Sequence, residues 1–194
     1  MEFRMNKVEP IRDKDKLKLM GDLIKVDGKY KEFALFKVGL HTGLRISDIL
    51  KLKWADLQED GHKIITYITE TKTRKNKKVI FNGQLTEILQ ELRDQYPKDV
   101  FVFQSESKNL GDQIKHWSRQ YAYDFINKYA RKVGVKGRIG THTLRKSFGY
   151  YHYKRGVSLS ILQKIFQHSR PSITLDYLGI TDDQIENVYL KTEL

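Results

Sequence analysis

The sequence has no cysteine and only three prolines in its 194 residues. Without cysteine there are no disulfide bonds, thiolate metal ligands or cysteine nucleophile, and the scarcity of proline permits long helices. No apolar stretch approaches the roughly 20 residues of a transmembrane helix, and no signal-type apolar segment follows the charged amino terminus. We therefore expect a soluble, cytoplasmic protein.

Acidic residues are also in short supply. The chain carries 36 Lys and Arg against 24 Asp and Glu, which leaves a net charge of +12 and a pI near 9.6. A positive field of this size favours polyanions, above all nucleic acid, although an excess of lysine also aids solubility. The composition separates neither DNA from RNA nor binding from catalysis.

Apolar spacing predicts a mostly helical chain with one small antiparallel sheet. Hydrophobic residues make up 39% of the sequence, enough for a proper core. β-Branched and aromatic residues predict strands at 63–69 and 77–81, joined by a polar hairpin, and a third short strand at 100–103. Helical spacing occurs in five segments, which are a first around Leu17, Met20 and Ile24, then 30–42, 85–92, 110–129 and 159–166.

An arginine follows the second predicted helix in the run TGLRISD at 42–48. Gly43 is expected to end the helix, and Ser47 to cap the helix that follows. Arg45 then lies at a rigid junction, where its planar guanidinium is suited to clamp a phosphate. The alternative is an ion pair with Asp48 or a bond to a carbonyl at the helix end.

A second group of polar residues lies in the carboxyl-terminal third. Thr141 is predicted to cap a helix on which His142 and Arg145, three residues apart, share a face. Helix amino termini bind phosphates well. His168 and Tyr177 follow, nine residues apart. Taken singly, each is equally consistent with ordinary capping or packing, since the chain has 11 tyrosines.

The predicted hairpin is strongly basic, because five of the seven residues 72–78 are Lys or Arg. These residues could simply be solvated charges, or they could bind phosphate nonspecifically. Either explanation fits the segment as readily as a catalytic lysine. The five basic residues are Lys72, Arg74, Lys75, Lys77 and Lys78.

The order of these features resembles the catalytic core of the tyrosine recombinase, or phage integrase, family. The resemblance covers residues 10–189 and combines an arginine in TGLR, a hairpin lysine, HxxR, and a histidine and tyrosine nine apart. The phrases that carry it are HTGLRISDILKLKWADL, TKTRKNKKV, THTLRKSFGYYHYKRG and LQKIFQHSRPSITLDYLGI. The fold that it implies is mainly α-helical with a small three-stranded antiparallel sheet.

The resemblance assigns the residues that bind and attack the phosphate. Arg45 and Arg145 would form the phosphate clamp, and Asp48 matches an acidic position that braces the first arginine. Tyr177 would be the nucleophile that forms a 3′-phosphotyrosyl bond with DNA. Two fixed guanidiniums can stabilise the negative charge that develops on a phosphodiester under attack.

The resemblance also assigns the residues that move protons and contact the DNA backbone. Lys72 would protonate the leaving 5′ oxygen, a step worth roughly 10²–10⁴-fold for a poor leaving group. His142 and His168 would contact the phosphate and assist proton movement. The remaining basic residues of the hairpin are expected to bind DNA, and they are Arg74, Lys75, Lys77 and Lys78.

The implied enzyme needs neither cofactor, metal nor ATP, since a phosphotyrosyl bond conserves the energy of the cleaved ester. The sequence has no clustered acidic motif of the two-metal kind and no GxxxxGK[ST] loop. The implied partners are double-stranded DNA, further copies of the chain in a tetramer on paired sites, and accessory DNA-binding factors, with no membrane. The implied setting is the bacterial cytoplasm, on chromosomal, plasmid or phage DNA.

Residues 1–194 are expected to form one catalytic domain, without the amino-terminal helical domain that completes a DNA clamp in most family members. The tail at 181–194 is acidic, and Ile185, Val188 and Tyr189 would give a short helix one apolar stripe. That tail either folds back onto its own core or docks on a neighbouring protomer.

The expected function is site-specific DNA recombination, in integration, excision, resolution or inversion. One alternative is a noncatalytic DNA-binding protein that kept the fold, and another is a type IB topoisomerase, which uses similar chemistry to relax supercoils. The HxxR phrase and the nine-residue spacing from His168 to Tyr177 favour the recombinase. A covalent DNA adduct would separate an enzyme from a binding protein.

DNA cleavage should proceed in the presence of EDTA, because two guanidiniums rather than metal ions stabilise the negative charge of the phosphate. The measurement is the yield of covalent protein–DNA adduct on a nicked substrate, with and without the chelator. A magnesium-dependent nuclease treated in parallel shows that the chelator is effective. A strict metal requirement would contradict the recombinase interpretation.

Overall fold

The computed structural model describes residues 8–71, 74–106, 113–180 and residue 190. Lys72, predicted as the hairpin catalyst, and the tail at 181–194 apart from residue 190 lie outside the described residues. In chain order the elements are α1 (Lys14–Val26), α2 (Tyr30–Thr42), α3 (Ile46–Leu50), a 3₁₀ turn (Trp54–Asp56), β1 (Gln58–Asp60), β2 (Lys63–Thr69), β3 (Asn76–Phe81), α4 (Gly83–Gln95), α5 (Arg119–Lys132), α6 (Thr143–Lys154), α7 (Leu159–Phe166) and α8 (Pro171–Leu178).

The expected fold class is confirmed, since helices dominate and one small sheet has three antiparallel strands in the order β1-β2-β3. β2 and β3 pair in the register that sets Ile64 opposite Phe81 and Thr66 opposite Val79. These four side chains are buried, and the alternation of a strand puts Lys77 on the same inner face. No helix in the described ranges is long and apolar enough to cross a membrane.

The predicted third strand at 100–103 is wrong in position, because β1 completes the sheet. Among the described residues, Phe101 makes a single bridge to Lys53, while Val102 and Phe103 turn into the core. The sequence of β1 is QED, and all three residues are exposed. No apolar alternation therefore marked β1 as a strand.

The helix predicted at 110–129 is also wrong at its start. α5 begins at Arg119, after Ser118 has capped it through its side-chain oxygen. Trp117 precedes the cap in an extended segment, where its backbone N–H donates to the carbonyl of Phe103 at 2.8 Å. Aromatic residues at helical spacing continue on both sides of the cap, so periodicity alone predicts a helix that is too long.

Two helices begin at residues that carry the candidate chemistry. Arg45 is the N-cap of α3, so Ser47 lies inside that helix and does not cap it. His142 is the N-cap of α6, in place of the predicted Thr141. Neither residue makes a side-chain capping bond. Rules that look for such bonds therefore missed both positions.

The central helix α2 packs against α1, α4 and α6. It is buried on nearly every side, which explains why its sequence lacks a polar face. The helix ends at Gly43, whose φ of 59° lies in the left-handed region. A Cβ at Gly43 would also lie 2.5 Å from Phe148, so glycine fits best here, and the predicted helix end is confirmed.

Helices α6, α7 and α8 enclose a second, smaller core next to the main one. Gly149 in α6 permits their close approach, since a Cβ there would lie 2.7 Å from Phe166 and 2.8 Å from Leu178. The buried side chains of this core are Phe148, Leu162, Phe166 and Leu178. The position of α8, which carries Tyr177, thus depends on the absence of one methyl group.

Gly149→Ala should therefore destabilise the protein by about 1–3 kcal/mol, because its methyl group overpacks the smaller core. Gly21→Ala in α1 is the matched control. Its new Cβ would meet the nearest side-chain atom at 3.4 Å, and alanine favours a helix interior over glycine. Denaturant unfolding should show a loss for Gly149→Ala and no loss for Gly21→Ala. Equal stability of the two variants would contradict the packing described.

Candidate active site

Arg145 is a buried cation that binds the ends of two helices. Its side chain is 2% exposed. Nη1 donates to the carbonyl oxygen of Gly43 at 2.6 Å, just past α2, and Nη2 donates to that of Phe166 at 2.9 Å, at the end of α7. Helix carboxyl termini carry partial negative charge, which suits them to a buried cation. A guanidinium has further N–H donors with which to bind a phosphate.

Tyr177 lies beside this cation with its hydroxyl group against a histidine. The hydroxyl oxygen is 2.8 Å from Nδ1 of His142, and which atom donates depends on the imidazole tautomer. The guanidinium carbon of Arg145 lies 5.8 Å from the centre of the tyrosine ring, and Nζ of Lys146 lies 5.0 Å from it. Two residues that come 35 positions apart in the chain thus share a hydrogen bond at the point where two cations converge.

His168 also packs against Tyr177. Its ring meets the Tyr177 ring edge-on, with 5.0 Å between the ring centres. Its Nδ1 lies 3.0 Å from the hydroxyl oxygen of Thr174 in α8, and its backbone N–H donates to the carbonyl of Gln163 in α7 at 3.1 Å. His168 therefore connects the end of α7 to the helix that carries Tyr177.

Arg45 forms an ion pair with Glu70, a carboxylate that is fully buried. The family resemblance implies that Asp48 braces Arg45. In the structure, Asp48 is also buried, and its Oδ1 accepts a hydrogen bond of 3.1 Å from the backbone N–H of Thr71. Asp48 thus holds the chain that leads into the hairpin, and Glu70 holds the arginine.

Glu70 is the residue of this site that the sequence interpretation missed. Glu70 directly follows β2 and lies on its inner face together with Thr66 and Ile68, because every second residue of a strand points to the same side. Its backbone also closes the base of the hairpin, since its N–H donates to the carbonyl of Lys75 and its carbonyl accepts from Arg74. An acidic residue on an inward position next to a basic hairpin was the available signal.

The basic hairpin residues do not share one environment. Arg74, Lys75 and Lys78 are exposed, as expected for contacts with a DNA backbone. Lys77 points inward, where its Nζ donates to the carbonyl oxygen of Ile165 at 2.7 Å. Strand alternation from Val79 and Phe81 would have identified this difference in the sequence.

Burial and nearby charge oppose each other at Tyr177 but act in the same direction at His142 and Lys77. Burial raises the pKa of Tyr177 above its usual value, while the charges of Arg145 and Arg45 act to lower it. Burial, followed by the charge of Arg145, lowers the pKa of His142, which favours a neutral imidazole at pH 7. For the same two reasons, in the same order, the pKa of Lys77 falls to about 8.

The structure thus brings five of the six predicted catalytic residues together, and Lys72 lies outside the described residues. Among the residues that are described, no three His, Cys, Asp or Glu side chains lie close enough to hold a metal ion. The charged groups of the site are the guanidiniums of Arg45 and Arg145, the ammonium of Lys146 and the carboxylate of Glu70, so cations outnumber the one carboxylate and the arrangement suits an anion. The five residues are Arg45, His142, Arg145, His168 and Tyr177.

Known proteins are similar to this chain in sequence, and solved structures are similar to it in fold. The sequence profile of the phage integrase family matches residues 11–184. The chain is 35% identical over 185 residues to a probable integrase/recombinase of Bacillus subtilis, YoeC, covering 95% of this chain and 97% of that protein. It is 28% identical over 155 residues to a tyrosine recombinase of Pseudothermotoga lettingae, covering 79% and 51% of the two proteins.

A solved structure has the same architecture. The XerH site-specific recombinase, in a post-cleavage complex with its palindromic difH substrate, superposes with a TM-score of 0.73 at 20% identity. The match covers 95% of this chain and 53% of XerH. The chain therefore spans about half the length of XerH and of the Pseudothermotoga protein, and nearly the whole of YoeC.

The chain belongs to the phage integrase family, and its fold is that of a tyrosine recombinase catalytic domain. Tyrosine recombinases are enzymes that perform site-specific DNA recombination. The family, fold class and activity class expected from the sequence are confirmed.

The phenol of Tyr177 should titrate above pH 10 in the absence of DNA, because burial disfavours the phenolate more than the nearby arginines favour it. The measurement is the tyrosinate absorbance of wild type minus that of Tyr177→Phe along an alkaline titration. Tyr123→Phe, at an exposed site, provides the control difference. A Tyr177 step below pH 10 would mean that the arginine charges outweigh burial.

Proposed function

We propose that this chain cleaves and rejoins double-stranded DNA through a covalent bond between Tyr177 and a 3′ phosphate. The observation that carries the proposal is the position of the Tyr177 hydroxyl, 2.8 Å from Nδ1 of His142 and beside the buried guanidinium of Arg145. A phenol is mostly neutral at pH 7, so its attack on phosphorus needs a base that accepts its proton or nearby positive charge that lowers its pKa, and this site offers both.

In the proposed reaction the scissile phosphate binds Arg145 and Arg45. The phenol oxygen of Tyr177 attacks phosphorus, the bond from phosphorus to the 5′ oxygen breaks, and the phenol proton passes to neutral His142. The 5′ oxygen leaves as a hydroxyl after it takes a proton, which we assign to Lys72 on the family resemblance. Rejoining is the reverse of these steps with a 5′ hydroxyl as the nucleophile, so atoms and charge balance without ATP.

Low exposure of the two arginines supports a large contribution from their charge. Arg145 is 2% exposed and the Arg45 side chain 13% exposed. Charges in such water-poor surroundings interact more strongly than charges in bulk solvent. Glu70 holds Arg45 in the absence of DNA, so we propose that the phosphate shares or replaces this carboxylate at the guanidinium.

The substrate and assembly are proposed from charge and family. The exposed Arg74, Lys75 and Lys78 at one hairpin support a contact with the DNA backbone, and the net charge of +12 supports long-range attraction. Exchange of strands between two sites requires two cleaved duplexes held together. We propose a tetramer on paired sites for this step, together with accessory factors, in the bacterial cytoplasm, and docking of the tail at 181–194 on a neighbouring protomer.

Tyr177→Phe should bind DNA but form no covalent adduct, because it keeps the ring and loses the nucleophilic oxygen. Wild type and variant are incubated with a nicked target that traps the cleaved intermediate, and the adduct is mapped by peptide mass. Tyr153→Phe, which removes an exposed hydroxyl from α6, is the matched control and should form the wild-type adduct. An adduct on Tyr177→Phe, or one that maps to another tyrosine, would overturn the assignment.

Arg45→Ala should slow adduct formation by about 10²–10³-fold at saturating DNA, by analogy with the loss of one oxyanion donor elsewhere. The control is Arg155→Ala, which removes an exposed arginine at the end of α6. Single-turnover kinetics on the nicked target measure both rates. An Arg45→Ala rate equal to that of Arg155→Ala would exclude Arg45 from the phosphate clamp.

A further inference from the structure

Lys77 is the one basic side chain of the described hairpin that turns away from solvent. It shares the inner face of β3 with Val79 and Phe81, whereas its neighbour Lys78 is exposed. A lysine is rarely turned inward without a partner, because removing its charge from water is costly. Its inward position therefore calls for an explanation other than contact with a DNA backbone.

The partner of Lys77 is the end of α7. Its Nζ donates to the carbonyl oxygen of Ile165 at 2.7 Å, and Arg145 donates to the next carbonyl, that of Phe166, at 2.9 Å. Two consecutive carbonyls at a helix carboxyl terminus thus each receive a cation, one from β3 and one from α6. The partial negative charge at this end of a helix favours both contacts.

The segment held in this way leads directly to the nucleophile. The C-cap of α7 is Gln167, a non-glycine residue with a left-handed φ of 52°, and His168 follows it. His168 contacts Thr174 in α8 and packs against the ring of Tyr177. Any shift of the α7 carboxyl terminus would therefore move the histidine and the tyrosine relative to the arginine pair.

We propose that Lys77 is a positioning residue that ties the sheet to the carboxyl terminus of α7 and so holds His168 and Tyr177 at the phosphate clamp. The proposal rests on the proposed function of Tyr177. In this role Lys77 neither binds the DNA backbone nor protonates the leaving oxygen. Its effect on the reaction is exerted through the carbonyl of Ile165.

The test compares Lys77→Met with Lys77→Arg, Lys78→Met and Lys63→Met. Lys77→Met keeps the length of the side chain and removes the donor, and Lys77→Arg keeps a cationic donor. Lys78→Met removes a charge from the outer face of the same strand, and Lys63→Met removes an exposed charge elsewhere on the sheet. Each variant is measured for DNA affinity across a salt series and for the rate of adduct formation at saturating DNA.

For Lys77→Met we expect unchanged DNA affinity and salt dependence, with a rate at saturating DNA about 10²-fold lower, the cost of a misplacement near 1 Å. Lys77→Arg should recover most of that rate, and Lys63→Met should match wild type. Lys78→Met should instead weaken DNA binding and reduce the salt slope by about 0.9. If Lys77→Met behaves like Lys78→Met, or like wild type, the positioning role is wrong.

A substrate with a 5′ phosphorothiolate separates positioning from acid catalysis. Its leaving group needs no proton, so it would restore the rate of Lys77→Met if Lys77 were the general acid. We expect no restoration, and full restoration would overturn the proposal. If Lys77→Met unfolds below the assay temperature, Lys77→Gln replaces it, since an amide still donates a hydrogen bond but carries no charge. Its rate should lie below that of Lys77→Arg, and the phosphorothiolate should not restore it.

A measurement that does not depend on catalysis separates a failure of this proposal from a failure of the proposed function. The alkaline titration of Tyr177 should move towards its ordinary pKa in Lys77→Met, since the tyrosine loses its fixed, buried position. If wild type forms no adduct while the titration still moves, Lys77 positions Tyr177 but the proposed function is wrong. If the titration does not move in Lys77→Met, the positioning role fails whatever the enzyme does.

Discussion

The guanidinium of Arg145 is the interaction on which both the fold and the site depend. It fixes the end of α2 through the carbonyl of Gly43 and the end of α7 through that of Phe166. A buried guanidinium is tolerated only where its charge and N–H groups are matched, and two helix carboxyl termini meet that condition. The same charge lies beside Tyr177, so the group that joins the two cores also prepares the site for a phosphate.

The remaining site residues lie at the ends of secondary structure elements that meet around this cation. Arg45 is at the N-cap of α3 and His142 at the N-cap of α6, while His168 follows α7. Side chains at such junctions are directed by the packing of whole helices. Gly149 illustrates the consequence, because its missing Cβ admits α7 and α8 to the position from which Tyr177 reaches His142.

Periodicity and motif order predicted the β2–β3 hairpin, the catalytic residues that the structure brings together and most of the helices, but not α8 or the start of α5. Other features could not be predicted, for identifiable reasons. The polar strand β1 owes its pairing to the tight turn into β2, and the extended segment at Trp117 has the same aromatic spacing as a helix. The partner of Arg45 could not be identified without the fold. Asp48 and Glu70 are both carboxylates that could pair with an arginine, and the backbone geometry places Glu70 against Arg45 and Asp48 against the backbone of Thr71.

Thermal unfolding of Arg145→Lys in the absence of DNA tests most directly whether this cation organises the structure as well as the chemistry. A lysine keeps the charge but not the planar fork, so one of the two buried carbonyls loses its donor. We expect a loss of about 1–3 kcal/mol, seen as a melting temperature several degrees lower than that of wild type. An unchanged melting temperature would contradict this expectation, and would confine Arg145 to a role in binding DNA.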